Sequence, residues 1–402
     1  VPQPTTDQSG RRPARPASAV PARALAPALA LTLALAGCSG ASSGGSDPGS
    51  APAPSPTATS TAPAPAPSAA GEPAVPVLAG DVATGLSVPW GVAFLADGSA
   101  LVAERTTGDV VRVRPGAAPV AVGRVPGVAD LGEGGLLGLA LAPGDEKTLY
   151  AYLTTRDDNR IVAMALDPDP REAGRGLGAP RVLLSGITNA GRHNGGRIVV
   201  GPDGMLWAGV GDAGDTSLSQ RRDSLSGKIL RIALDGSVPA DNPFPGSPVW
   251  SLGHRNVQGL AFDSAGRLWA TEFGQNTWDE LNLVEKGRNY GWPEVEGKEG
   301  RAGFVDPQVV WRTSDASPSG LAIVDDVAYV AALRGAKVWV VPLTDGRAGE
   351  PVAALDGVLG RIRTVEKAPD GTLWLTTSNT DGRGDPKAGD DRVVRATLTQ
   401  AG

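Results

Sequence analysis

The chain has 402 residues and a formal net charge of −6, with 41% hydrophobic residues, 55 glycines, 35 prolines and one cysteine. Such levels of glycine and proline suit many short strands joined by tight turns better than packed helices, and the length allows two ordinary domains or one large all-β domain. Residues 1–37 hold four arginines and one aspartate, leaving −9 on the rest; that acidic body argues against nucleic acid as a partner, and a lone cysteine excludes an intrachain disulfide framework.

At the N-terminus, Arg11, Arg12, Arg15 and Arg23 precede an Ala/Leu run from Ala24 to Ala36. This is a positive n-region followed by an h-region too short to span a bilayer comfortably. The run ends Leu35-Ala36-Gly37-Cys38, which is similar to a bacterial lipoprotein box. The expectation is a signal peptide over residues 1–37 and lipidation of Cys38, which would tether an extracytoplasmic protein to the membrane without making it span. Residues 38–76 are dominated by Ser, Gly, Ala, Pro and Thr, the composition of a solvated linker.

From Val77 to the end, residues 77–402, one pattern recurs. An apolar strand meets an Asp-Gly or similar turn, and a second strand follows with an aromatic near its start. The copies are anchored at Leu101, Leu149, Leu206, Leu268, Ala328 and Leu373, spaced by 48, 57, 62, 60 and 45 residues. Repeats of this length built of strands predict a six-bladed β-propeller of four-stranded antiparallel blades, with the Asp-Gly pairs supplying hairpin turns. Trp207, Trp269 and Trp374 share one position of the repeat, which points to packing between blades. Apolar arms such as Lys228–Ile232 and Val338–Val341 are expected to be later strands of their blades.

Polar clusters fall just before or after these strands: Gly132-Glu133-Gly134-Gly135, Arg192-His193-Asn194, His254-Arg255-Asn256, Gly274 to Glu280, Leu333-Arg334-Gly335 and Gly360-Arg361-Ile362-Arg363. Loops on one face of a propeller converge on its axis, so the clusters can meet there. Arginines gathered against the net charge suit an anionic ligand, because the guanidinium fork matches carboxylate or phosphate. Arg361 and Arg363, two apart on an expected strand, would point to one side. With only two histidines in the chain, candidates for a neutral-pH proton acceptor are few.

The segments Gly-Glu-Gly-Gly-Leu-Leu-Gly (132–138), Arg-His-Asn-Gly-Gly-Arg (192–197) and Gly-His-Arg-Asn-Val-Gln-Gly-Leu-Ala-Phe (253–262) carry a resemblance, as do Glu-Phe-Gly-Gln-Asn-Thr-Trp-Asp-Glu-Leu-Asn (272–282), Asn-Tyr-Gly-Trp-Pro (289–293) and Arg-Ile-Arg (361–363). In this order the chain resembles the soluble quinoprotein glucose/sorbosone dehydrogenases, six-bladed propellers that hold pyrroloquinoline quinone and calcium. The resemblance implies that His193 is the general base for a sugar C1 hydroxyl while hydride passes to quinone C5. It makes Arg255 the group that stabilises charge at the C5 carbonyl, with Asn256 beside it. It assigns Arg334, Arg361 and Arg363 to the cofactor's carboxylates. It gives the backbone carbonyls of Gly274 and Gln275 to a catalytic calcium, and the Glu280 carboxylate and Tyr290 carbonyl to a structural one. Electrons would leave for an external acceptor.

Three positions depart from the family pattern. Glu133 stands beside the cofactor where glutamine is usual, and must be paired or protonated to avoid repelling the quinone. Arg192 stands where glucose-oxidising members have aspartate, and Gln275 replaces a proline. His254 is read as structural. Two other functions fit a propeller. A calcium-dependent lactonase needs carboxylates and asparagines on the axis, where arginines predominate here. A non-catalytic carbohydrate-binding propeller has no use for His193, Arg255 and Arg361 together.

Overall fold

The computed structural model describes residues 72–400, and within them each repeat copy becomes one antiparallel sheet. From the innermost strand outward, the first blade is Pro89–Phe94, Ala100–Glu104, Asp109–Val113 and Val120–Arg124. The second is Leu136–Ala142, Asp145–Thr154, Asn159–Ala165 and Arg181–Ile187. The third is Ile198–Val200, Leu206–Gly209, Lys228–Ile232 and Val249–Leu252. The fourth is Val257–Phe262, Leu268–Glu272, Trp278–Val284 and Val309–Arg312.

The last two blades vary the scheme. In the fifth, Pro318–Val324, Val327–Ala332 and Lys337–Thr344 are joined by two short segments, Arg347–Ala348 and Val352–Ala354, which both pair with the third strand. The sixth takes Ile362–Lys367, Leu373–Thr377 and Val393–Thr399 from the C-terminal end, and Val75–Ala83 from the other end fills its outer place. The ring therefore closes by pairing the two ends of the body. The closing strand starts at Val75, inside the stretch read as linker. Cys38 and residues 1–37 lie outside the described residues.

Burial concentrates at the seams between blades. Trp269 and Leu281 of the fourth blade pack with Leu321 and Val330 of the fifth, and Tyr329 and Val340 of the fifth pack with Val365 and Leu375 of the sixth. The repeated tryptophans sit in these seams as expected. Trp207 meets Phe262 of the next blade edge-on at 5.7 Å, and Trp374 meets Phe94 of the first blade at 4.8 Å. The turn aspartates serve them too, since Asp203 and Asp263 accept the indole N–H groups of Trp207 and Trp269. This satisfies a donor that would be costly to bury alone.

Near the axis the innermost strands approach so closely that side chains would collide. A β-carbon on Gly138 would strike the Gly196 carbonyl of the third blade, and one on Gly259 the Ser319 carbonyl of the fifth. Glycine there lets the ring tighten. Among the described residues no helix is long and apolar enough to cross a membrane; the one helix described is a 3-10 turn, Thr216–Ser219.

Candidate active site

One end of the axis opens into a cavity of about 380 Å³, bordered by Glu133, Arg334, Arg361, Arg363 and Arg383 with Trp90. Four guanidinium groups against one carboxylate make it strongly cationic in an acidic protein. Arg363 is buried, with Nη1 donating to Gln258 Oε1 at 2.9 Å, while its Nε has no partner among the described residues. Burial and the like charges of Arg105 and Arg361 push Arg363 down to about 9, so it is still cationic at neutral pH. Arg105 also buries an unpaired Nε. Crowded cations with unmet donors are stabilised when an anion arrives. Trp90 borders the cavity with the Arg363 guanidinium 5.8 Å from its ring centre, and Arg197, which lines the opposite end of the axis, lies 4.1 Å from the same ring.

Arg361 and Arg363 reach the same cavity by a different route from the one expected. The innermost strand begins at Ile362, so Arg361 precedes it, and the register is irregular between Ile362 and Thr364. Arg361 is fixed by Asp381 at 3.0 Å. Arg334 is exposed at the cavity wall, in the turn after Val327–Ala332.

Glu133 is paired. Burial alone would raise its carboxyl, but the His193 amide at 2.9 Å and the Arg383 guanidinium at 2.9 Å together hold it below the ordinary carboxylate range. Arg383 thus offsets the departure from glutamine. Neither Arg383 nor Arg105 was singled out from the sequence, although Asp381-Gly382-Arg383-Gly384 has the same glycine-bracketed polar character as the clusters that were.

His193 lies in the loop entering the third blade, at φ +55°, a left-handed conformation uncommon for a residue with a side chain and concentrated at functional sites. Its neighbours Asn194 and Gly195 border the cavity. Imidazole Nδ1 lies 2.7 Å from Asp212 Oδ1. Asp212 is fully buried and also accepts the Gly214 amide at 2.7 Å and the Trp292 indole at 2.9 Å. Burial raises this carboxyl, but the His193 contact and these donors hold it below its ordinary value. An ionised Asp212 can only accept, so Nδ1 carries the hydrogen and Nε2 keeps its lone pair for a proton. Asp212 too was missed; Gly211-Asp212-Ala213-Gly214 was its signal.

Arg255 and Asn256 occupy the loop entering the fourth blade. Asn256 is fully buried; Oδ1 accepts the Gly195 amide at 3.0 Å, while Nδ2 has no partner among the described residues. Arg255 is buried, which lowers its pKa against the pull of Asp212 and Glu272. Its guanidinium lies 5.5 Å from the Trp292 ring centre, so Trp292 touches both Arg255 and the partner of His193. His254 is structural, hydrogen-bonded to Ser251 at 2.8 Å and stacked on Tyr290 at 4.7 Å. Arg192 is exposed and lies over Gly214.

Gly274, Glu280 and Tyr290 surround a second, much smaller void of about 10 Å³, together with Glu272 and Glu296, room for about one water-sized sphere. Burial and the Glu272 charge raise the Glu280 carboxyl. The Tyr290 hydroxyl is spent on Leu283 O at 2.6 Å and the Glu285 amide at 2.8 Å. Among the described residues no three His, Cys, Asp or Glu side chains gather as a metal-ligand set, so a cation here would draw on backbone carbonyls as well as carboxylate. Gln275 does not border the void; its side chain meets Arg255 instead.

Known proteins are similar to this chain in sequence and fold. Residues 86–385 match the family described as Glucose / Sorbosone dehydrogenase. The PQQ-bound form of the aldose sugar dehydrogenase of Streptomyces coelicolor has 51% sequence identity and a TM-score of 0.79, covering 83% of this chain and all of that one. Aldose sugar dehydrogenase YliI of Escherichia coli is 30% identical over 74% of this chain and 89% of its own length. Quinoprotein glucose dehydrogenase B of Acinetobacter calcoaceticus is 34% identical over 56% of this chain and 54% of its own length. The chain belongs to the glucose/sorbosone dehydrogenase family.

Proposed function

We propose that the protein is a quinoprotein dehydrogenase that oxidises the C1 hydroxyl of an aldose or related sugar, using pyrroloquinoline quinone and calcium and passing electrons to an external acceptor. One observation carries this reading: an arginine-rich axial cavity with buried, unpaired donors, in the same loop cluster as a histidine backed by an ionised aspartate. The cavity fits a planar tricarboxylic quinone in charge and falls within the volume range of small-molecule sites. Arg334, Arg361 and Arg363 would hold its carboxylates, and Arg383 adds a fourth cation beside them.

When bound, the quinone supplies the two-electron oxidant. His193 Nε2 takes the hydroxyl proton from the sugar. Asp212 fixes the tautomer and stabilises the imidazolium. Arg255, protected from solvent, presents positive charge where negative charge develops, and the unpaired Asn256 Nδ2 offers a donor next to it. The crowded carboxylates of Glu272 and Glu280 would be relieved by a divalent cation, a hard ion that takes oxygen ligands. The backbone carbonyls of Gly274 and Gln275 would hold a catalytic calcium, and the Glu280 carboxylate and Tyr290 carbonyl a second, structural one.

Export and lipidation at Cys38 complete the proposal. They are supported by the arginine-led apolar run and by a composition across 38–76 that suits a tether. The buried His193–Asp212 pair favours an enzyme over a carbohydrate-binding propeller, and arginines on the axis favour a quinone over the metal-bound water of a lactonase. The test is to add pyrroloquinoline quinone and calcium to purified apo-protein and follow dye reduction with a panel of aldoses. Reduction should require both additions and fall by roughly 10²–10⁴-fold in His193→Ala. Turnover without the quinone, or an unaffected His193→Ala, would overturn the assignment.

A further inference from the structure

Gln275 stands on an exposed loop and would be passed over as a surface residue, but its side-chain carbonyl accepts twice from one guanidinium. Oε1 lies 3.0 Å from Arg255 Nε and 2.6 Å from Nη2. A second acceptor, the Phe273 carbonyl, takes Nη1 at 3.1 Å. A guanidinium has five N–H donors in a fixed fork, so these contacts leave two, one on each terminal nitrogen. The glutamine occupies the side edge formed by Nε and Nη2, and Phe273 holds the opposite terminal nitrogen.

The loop that presents Gln275 is itself held firmly. Glu296 Oε1 accepts four successive amides, Gln275 at 2.8 Å, Asn276 at 2.9 Å, Thr277 at 3.0 Å and Trp278 at 3.2 Å. Four donors on one carboxylate oxygen fix the backbone from which the glutamine reaches. At the other end, the Arg255 amide donates to Glu272 Oε2 at 2.6 Å. Backbone and side chain of the arginine are thus set from two directions.

The chemistry of the acceptor matters as much as its place. Both oxygens on the guanidinium are neutral amide oxygens, and the carboxylates of Asp212, Glu272, Glu296 and Asp279 act on it only through space. A glutamate at 275 would orient the arginine but cancel its charge. Glutamine orients it and leaves the charge available. Proline, usual at this position in the family, has no side-chain acceptor.

We infer that Gln275 is a positioning residue for Arg255, turning the guanidinium so that its remaining N–H groups and full charge face an anionic oxygen of the bound quinone. The inference rests on the dehydrogenase reading, which places the quinone against Arg255. Gln275→Leu keeps the size and the backbone carbonyl and removes only the acceptor; because residue 275 is exposed, the fold should tolerate it. Two readouts are taken on the full chain with calcium present: quinone affinity by fluorescence titration of the apo-protein, and kcat and KM for the sugar.

Gln275→Leu should weaken quinone binding and lower kcat by roughly tenfold, with sugar KM and melting temperature little changed. In an Arg255→Ala background the same change should cost nothing further, because the group it positions has gone. Equal losses in both backgrounds, or no loss in the wild type, would sink the inference while leaving the enzyme reading in place. Unaltered quinone affinity in Arg255→Ala alone would defeat both.

Discussion

At the scale of single residues, the chemistry turns on which imidazole nitrogen is free. Asp212 holds Nδ1 because three donors keep it ionised despite complete burial. Asparagine at 212 could offer its own N–H to Nδ1, which would move the ring hydrogen to Nε2 and remove the lone pair that accepts the sugar proton. Asp212→Asn is therefore expected to lower kcat by roughly 10²–10⁴-fold, comparable with loss of the base itself. Steady-state kinetics beside a melting curve separate this from unfolding. The linkage has a definite sign. Asp212 is depressed below its ordinary value of 3.8, so its contribution to stability is complete above that value and fades as pH falls through the lower folded one. Glu133 behaves alike, being depressed below 4.5 by its amide and arginine partners against the cost of burial.

At the scale of strands and blades, the ring depends on one pairing between distant parts of the chain. Val75–Ala83 lies against Val393–Thr399, and its last residues, Val82 and Ala83, are buried with Val92 and Val102 of the first blade. Deleting residues 75–83 would bare the edge of Val393–Thr399, open the sixth blade and expose the seam with the first. The melting temperature followed by circular dichroism should fall by roughly 10 °C or more; a fall of only a degree or two would mean that the ring closes without this strand. The sequence did not reveal the strand, and the reason is physical. An outer strand has solvent on one edge, so its pattern is weak: Val77 is exposed, and Gly80 and Asp81 interrupt it at register shifts. Inner strands sit between two blades, and their Gly-Leu-Ala and Leu-Trp runs announce themselves. The repeat period, tryptophan positions and Asp-Gly turns were therefore legible, while the closing strand and the extra segment of the fifth blade were not.

At the scale of the whole molecule, the ring itself makes the site, by bringing loops from different blades to one axis. His193, Arg255 and Arg361 stood out as polar groups among glycines. Arg383 and Glu133 stand 250 positions apart, and no local pattern announces that they will pair; the Asp212 contact to His193 and the double contact of Gln275 on Arg255 are likewise set by the ring and not by neighbouring residues. The opposite end of the axis carries the last consequence. There the innermost strands of all six blades border a cavity of about 310 Å³ containing Arg197 and Glu366. Burial drives Glu366 up to about 7 against the opposing pull of Arg197. A carboxyl raised on folding binds protons that the unfolded chain has released, so stability declines as pH rises from the ordinary value near 4.5 through about 7. Glu366→Gln cannot ionise and should escape that decline. The variant should melt close to the wild type at pH 4.5 and roughly 2–4 °C above it at pH 8.5. Thermal unfolding across that range reads the difference directly; a gap that stays constant with pH would show that packing, and not the ionisation of Glu366 at the far end of the axis, separates the two proteins.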